Sequence, residues 1–170
     1  VKWKQYKIGD LCTPISETYR GKDEEVILIN TSDVLEGEIL NHEKVPNQNL
    51  KGQFKKTFKK NDILFSEIRP ANKRYAFVNL DDTSLYIAST KLMVLRPNIE
   101  IVRPRYLYAI LSSESIINEL QHLAETRSGT FPQITFSSEL APMAANVPDF
   151  DTQDRIIKML DILEGKISCN

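Results

Sequence analysis

The run Asn61-Asp62-Ile63-Leu64-Phe65-Ser66-Glu67-Ile68-Arg69-Pro70-Ala71-Asn72-Lys73-Arg74-Tyr75-Ala76-Phe77-Val78 decides how this chain folds. Asn61-Asp62 is a turn signal, and residues 63–68 follow as an apolar strand candidate. Pro70-Ala71-Asn72 interrupts, and residues 75–78 resume the extended pattern. Two such runs around a short polar break read as a hairpin, here with Arg69, Lys73 and Arg74 at its tip. Working outward, Val26-Ile27-Leu28-Ile29 is a short β-branched run of the kind found in buried strands. Residues 85–88 and 91–95 give two more, so the first hundred residues read mostly as strands. After them the period changes. Pro104 suits a helix start, with Tyr106, Leu107, Ile110 and Leu111 at helical spacing. Ser115 is the expected cap of a second helix carrying Ile116, Ile117, Leu120 and Leu123, closed by Ser128-Gly129-Thr130. An extended piece follows around Asn146-Val147-Pro148. The fold class expected is α+β: a twisted, mostly antiparallel sheet with flanking helices and a C-terminal amphipathic helix.

That last helix has the clearest pattern. Asp151 or Thr152 supplies an N-cap, and Ile156, Leu160, Leu163 and Ile167 are spaced 4, 3 and 4. This is the a/d seam of a coiled coil, under two heptads long. An ordinary amphipathic helix packed on its own domain fits the same spacing, and periodicity leaves both open. A helix so short needs a partner surface in either case. The expected division is a domain over residues 1–147, then a junction and helix over 148–170. The start at Val1 and the end in mid-pattern suggest a piece of something longer.

The chain has 170 residues, of which 41% are hydrophobic, enough for a packed core. No run approaches the roughly 20 apolar residues of a membrane span, and residues 1–10 lack the apolar core of a secretion signal. Cys12 and Cys169 lie near opposite ends with no zinc-type spacing, and read as free thiols in a reducing cytoplasm. The formal net charge is −1, so only the placement of charge can suggest a polyanion partner. It does so between residues 51 and 74. Lys51, Lys55, Lys56, Lys59, Lys60, Arg69, Lys73 and Arg74 stand against Asp62 and Glu67, eight bases to two acids, a local balance of +6. Phe54, Phe58, Phe65 and Tyr75 interleave them, and Gln53, Asn61 and Asn72 add amides able to pair with adenine. A solvated charged face fits the same run.

Catalytic patterns fail on spacing or partners. The six glycines are scattered, so no phosphate loop exists. His42 and His122 have no neighbours suggesting a triad or a metal site. Pro148-Asp149 with Glu164-Gly165-Lys166 matches a loose magnesium-nuclease pattern. The acids of such a site must converge on the metal, yet a helix between them holds Glu164 and Lys166 roughly 15 Å or more from Asp149. No cofactor is implied for the chain itself.

Five segments together resemble the target-recognition domain of type I restriction–modification specificity subunits. Trp3-Lys4-Gln5-Tyr6-Lys7-Ile8-Gly9-Asp10-Leu11 is similar to the family's opening. Residues 61–70 resemble its "gDilfskirP" segment, and Ala88-Ser89-Thr90-Lys91-Leu92-Met93-Val94-Leu95-Arg96-Pro97 its "STef-vlrP" strand. Residues 105–113 resemble its "yLy-lL-S" helix, and Ser128-Gly129-Thr130-Phe131-Pro132-Gln133-Ile134 its "GT" turn. The family's Pro-Pro-Leu-Glu-Glu-Gln-like junction is poorly kept, since only Pro148 and Gln153 match. Full specificity subunits carry two such domains joined by long helices, whereas one is visible here.

The resemblance implies a non-catalytic, cytoplasmic module that reads one half of a bipartite site in double-stranded DNA. Methyl transfer from S-adenosylmethionine and cleavage would belong to methyltransferase and restriction subunits. The end helix would pair with a second specificity half through Ile156, Leu160, Leu163 and Ile167, which favours the coiled coil. Lys55, Lys56, Lys59 and Lys60 are the expected phosphate contacts. Arg69, Asn72, Lys73, Arg74, Arg127 and Gln133 are the expected base readers. Two rival readings remain: a protein-interaction module acting only through the end helix, and a magnesium-dependent nuclease using Asp149, Glu164 and Lys166.

Overall fold

A computed structural model describes residues 2–48, 50 and 52–166. In chain order the strands are β1 (Trp3–Lys7), β2 (Cys12–Ile15), β3 (Glu25–Ile29), β4 (Val34–Leu35), β5 (Glu38–Ile39), β6 (Val45–Pro46), β7 (Phe54–Lys56), β8 (Ile63–Ser66), β9 (Tyr75–Phe77), β10 (Tyr86–Ser89), β11 (Leu92–Pro97) and β12 (Ala144–Pro148). The helices are α1 (Ile8–Leu11), α2 (Pro104–Leu111), α3 (Glu114–Arg127) and α4 (Phe150–Leu163). The class is α+β, as the sequence predicts.

The strands divide more finely than one twisted sheet. An antiparallel sheet has the order β2-β11-β8-β9, and a second sheet has the order β6-β3-β10-β7. The β10–β3 pair is parallel, and every other pair of strands is antiparallel among the described residues. β1 pairs with β12, bringing the two ends of the domain together, and β4 pairs with β5.

The quoted run forms the predicted hairpin. β8 pairs with β9 in the register Ile63↔Phe77, Leu64↔Ala76, Phe65↔Tyr75. Asn61 turns the chain into it at φ +73°, a conformation Asn tolerates better than most residues. β8 is buried at every position, because its sheet is covered on both sides. Successive side chains point to opposite faces. Ile63 and Phe65 enter one core with Leu107, Leu111 and Leu120 of the helices. Leu64 enters a second core with Ile27, Ile29, Val34 and Phe58.

Burial also corrects the reading of the aromatics in the basic stretch. Phe58, Phe65 and Tyr75 belong to the cores rather than to the charged surface. Asp62 is buried as well. Its carboxylate accepts both a bidentate pair from Arg96 (3.0 and 2.9 Å) and the Lys59 N–H (2.7 Å), which fixes the start of β8.

Two caps differ from expectation. α3 starts two residues earlier, at Glu114, with Ser113 rather than Ser115 at the N-cap and its hydroxyl donating to the Ile110 carbonyl at 2.7 Å. α4 starts at Phe150 behind Asp149, and the Thr152 hydroxyl donates back to the Asp149 carboxylate. The structure also explains Gln153, at the start of α4. Gln153 is fully buried; its Nε2 donates to the carbonyls of Pro148 (2.9 Å) and Ile101 (3.1 Å), and its Oε1 accepts the Arg103 N–H at 2.8 Å.

Outside that pin, Arg103 pairs with Asp154, and Arg105 with Asp161 and Glu164. α4 therefore rests on α2 through Gln153, Ile157 and Asp161. Ile156 and Leu160 are half-buried on the flank of this contact, while Met159 and Leu163 are 63% and 79% exposed. Ile167, the fourth seam position, lies outside the described residues, as do Cys169 and Lys51. No helix among the described residues is long and apolar enough to cross a membrane.

Candidate nucleic-acid interface

The hairpin tip is a built structure rather than a loose loop. The Ser66 N–H donates to the Arg74 carbonyl at 2.9 Å, closing residues 66–74 at the end of the ladder. Within it, Pro70–Asn72 forms a single 3₁₀ turn with Pro at its first position. Asn72 N–H donates to the Arg69 carbonyl and Lys73 N–H to the Pro70 carbonyl. Arg69 and Lys73, on either side, are left-handed at φ +43° and +56°. For a residue with a Cβ, each such conformation costs on the order of 1–3 kcal/mol and persists only where surroundings impose it.

Those surroundings are three other elements. The loop after α3 lies against the tip: Arg69 N–H donates to the Pro132 carbonyl (2.9 Å), Ile134 N–H donates to the Glu67 carbonyl (2.8 Å), and Gln133 bridges to Ile68. The Arg69 guanidinium lies 5.4 Å from the centre of the Phe131 ring, within cation–π range. α3 contributes Gln121, whose Oε1 accepts the Ala71 N–H at 2.9 Å. The β4–β5 turn closes the far side, with Glu36 N–H on the Lys73 carbonyl and Gly37 N–H on the Tyr75 carbonyl. Gly37 is required there, since at φ +102° an added Cβ would meet the Tyr108 hydroxyl at 2.6 Å.

Four of the six predicted base readers, Arg69, Asn72, Lys73 and Gln133, thus lie on or against the tip. Arg69, Asn72 and Lys73 are exposed on the tip, Gln133 is half-buried beside it, and Arg127 is exposed at the end of α3. Lys73 pairs loosely with Glu36 (3.6 Å), and Arg127 with Glu139 (3.0 Å). Arg74 differs: its Nη1 donates to the Ser32 and Val34 carbonyls at 3.4 and 3.3 Å, which turns it toward the β4–β5 hairpin.

The predicted phosphate contacts are dispersed. Lys56 is drawn inward, and its ammonium donates to the Thr90 (3.3 Å) and Leu92 (2.9 Å) carbonyls. Burial lowers its pKa below the ordinary lysine value, partly offset by the Glu67 carboxylate. An ammonium held this way fixes the turn between β10 and β11 and is not offered to a phosphate. Lys91 is exposed at that same turn, where its carbonyl accepts the Glu67 N–H at 3.0 Å at the foot of the tip, and Lys55 is exposed on β7. Lys59 and Lys60 precede β8 and so lie at the other end of the ladder, roughly 10 Å away along the strand. Lys60 pairs with Asp81 at 2.7 Å, which lowers the Asp81 pKa; Lys59 makes no side-chain ion pair among the described residues. Charge counting along the chain could not make this division. Phe131, Gln121 and Lys91 are neighbours of the tip that it missed, because their position depends on tertiary packing.

The nuclease reading does not survive. α4 separates Asp149 from Glu164 by about 22 Å of helix. Glu164 pairs with Arg105 and with Lys166, and Asp149 accepts from Thr152. Among the described residues no group of three or more His, Cys, Asp or Glu side chains could hold a metal ion.

A family model described as the type I restriction modification DNA specificity domain matches residues 1–170. The chain is 44% identical over 169 residues to the type I restriction enzyme HindI specificity subunit of Haemophilus influenzae, covering 99% of this chain and 36% of that protein. Its fold is similar to the HsdS subunit of Thermoanaerobacter tengcongensis, with a TM-score of 0.82, 24% identity, and coverage of 96% of this chain and 42% of that one. It is also similar, with a TM-score of 0.81 and 23% identity, to a chain solved in work on assembly and conformational transition of the type I R-M system, again covering 96% and 42%. The chain thus spans well under half the length of these relatives.

Proposed function

Because the chain belongs to the type I restriction modification DNA specificity domain family, we propose that it reads one half of a bipartite site in duplex DNA and performs no chemistry itself. Partner methyltransferase and restriction subunits would act where it binds, with S-adenosylmethionine held by the former. The observation that carries this reading is the clamped tip: Arg69, Asn72 and Lys73 exposed on a rigid turn, with Gln133 bridged to its foot at Ile68; Arg127, exposed at the end of α3, would join them. Base readout needs donors held to a fraction of an ångström, and an anchored two-stranded tip of this size suits a major groove. Lys55, Lys59 and Lys60 would contact phosphates, and Arg74 and Lys56 would support the readers from within.

Residues 1–147 would form the reading unit and 148–170 the junction and spacer helix. That helix would meet a second specificity half through Ile156, Leu160, Leu163 and Ile167; the exposure of Met159 and Leu163 supports this. The module would work in the cytoplasm, where duplex DNA and its partner subunits would be.

The test is binding to duplexes selected from a random pool. Arg69→Ala should flatten base preference at about 1–3 kcal/mol, and Lys59→Ala should weaken binding to every sequence and reduce the salt slope by about one. If both variants bind as the wild type does, the basic surface is merely solvated and the protein-interaction reading gains.

A further inference from the structure

Both ends of the recognition tip are held by backbone, but its middle is not. Arg69 N–H is fixed by the Pro132 carbonyl, and the Lys73 carbonyl by Glu36 N–H. The hydrogen bonds of Asn72 and Lys73 N–H stay inside the turn. Among the described residues, one hydrogen bond ties the 3₁₀ turn's middle to the rest of the molecule. It runs from Ala71 N–H to Gln121 Oε1, at 2.9 Å across 50 positions of sequence. Gln121 is half-buried on α3, and its own amide is oriented by Nε2 donating to Glu125 Oε1 at 2.9 Å, one helical turn on. Reversing the amide would turn an N–H₂ group on the Ala71 N–H and lose both bonds. The pair Gln121–Glu125 therefore has one workable arrangement.

We propose that Gln121 is a positioning residue for sequence readout. By holding Ala71 it fixes the turn, and with it the directions in which Arg69, Asn72 and Lys73 leave the backbone. This rests on the DNA-reading function proposed above. Gln121 need not touch DNA. Phosphate attraction tolerates a displaced charge, whereas paired hydrogen bonds to base edges do not. Loss of the clamp should therefore reduce discrimination between sequences while leaving non-specific binding in place.

The experiment compares the wild-type chain, Gln121→Leu, and the double variant Gln121→Glu with Glu125→Gln. The double variant exchanges the two groups: a carboxylate at 121 accepts from Ala71 and from the new amide at 125, and net charge is unchanged. Affinity for the preferred duplex and for a scrambled duplex is measured across a salt series, below the melting temperature of each variant. Gln121→Leu should lose about three- to tenfold in the preferred-to-scrambled ratio, the range of one net hydrogen bond. Its salt slope and scrambled-duplex affinity should stay at wild-type values, and the double variant should recover the ratio. An unchanged ratio in Gln121→Leu, an equal loss on both duplexes, or no recovery in the double variant overturns the proposal while leaving DNA reading intact. Absence of any preferred duplex for the wild type overturns the DNA-reading function, and this inference with it.

Discussion

Lys56 and Lys59 lie three residues apart in one basic run and end in opposite settings. β7 alternates, so Lys55 faces out and Lys56 faces in, where two carbonyls receive its ammonium. Lys59 comes after the strand, on an exposed turn whose backbone is capped by buried Asp62. Charge made them look equivalent, and only the strand's register separates them. Cys12 shows the same dependence on burial, with a consequence for stability. Its thiol lies in the core against the Ile8 carbonyl, and desolvation pushes its pKa from 9.0 to about 12. The unfolded chain ionises this thiol first, so the folded state binds more protons in that interval. Stability should be intact below about pH 9 and fall as pH rises toward 12, at about 1.4 kcal/mol per pH unit when the effect is complete. Replacing Cys12 with Val should remove this part of the alkaline loss, as read from urea unfolding at several pH values. An unaltered slope would mean that other groups cause it.

At the scale of elements, the hairpin and the terminal helix were legible for different reasons. The hairpin announced itself through Asn61-Asp62, an apolar run, a Pro-containing break and a second run. Its tip geometry did not, because left-handed Arg69 and Lys73 are imposed by Pro132, Gln121 and Glu36 from elsewhere in the chain. α4 announced its apolar spacing but not its orientation. Helical spacing cannot say which flank faces home, and the deciding residue is a polar one, Gln153. Its three hydrogen bonds answer groups that would otherwise be buried unpaired. Gln153→Leu should cost about 2–4 kcal/mol and lower Tm by roughly 10 °C in a thermal melt. A change of under two degrees would mean that α4 is held by its ion pairs alone.

For the whole molecule, the sheet containing β8 divides two cores and turns a basic tip outward at one end. α4 leaves from another part of the surface with an apolar stripe uncovered. Met159 and Leu163 are largely exposed among the described residues, so Leu163→Lys should leave monomer stability within about 0.5 kcal/mol of the wild type. It should nonetheless reduce association with a second specificity half, measured by sedimentation equilibrium. Equal association in both would remove the stripe from the interface.

What the sequence determined by itself was the class, the succession of strands by helices, the hairpin, the spacing of the end helix and, through motif order, the family. These are local or one-dimensional properties: turn chemistry, period and succession. The tertiary structure alone decided which bases are free, which aromatics are core, what locks the tip and which face of α4 is covered. Each of those depends on partners tens of residues away, and no pattern within a single element encodes them.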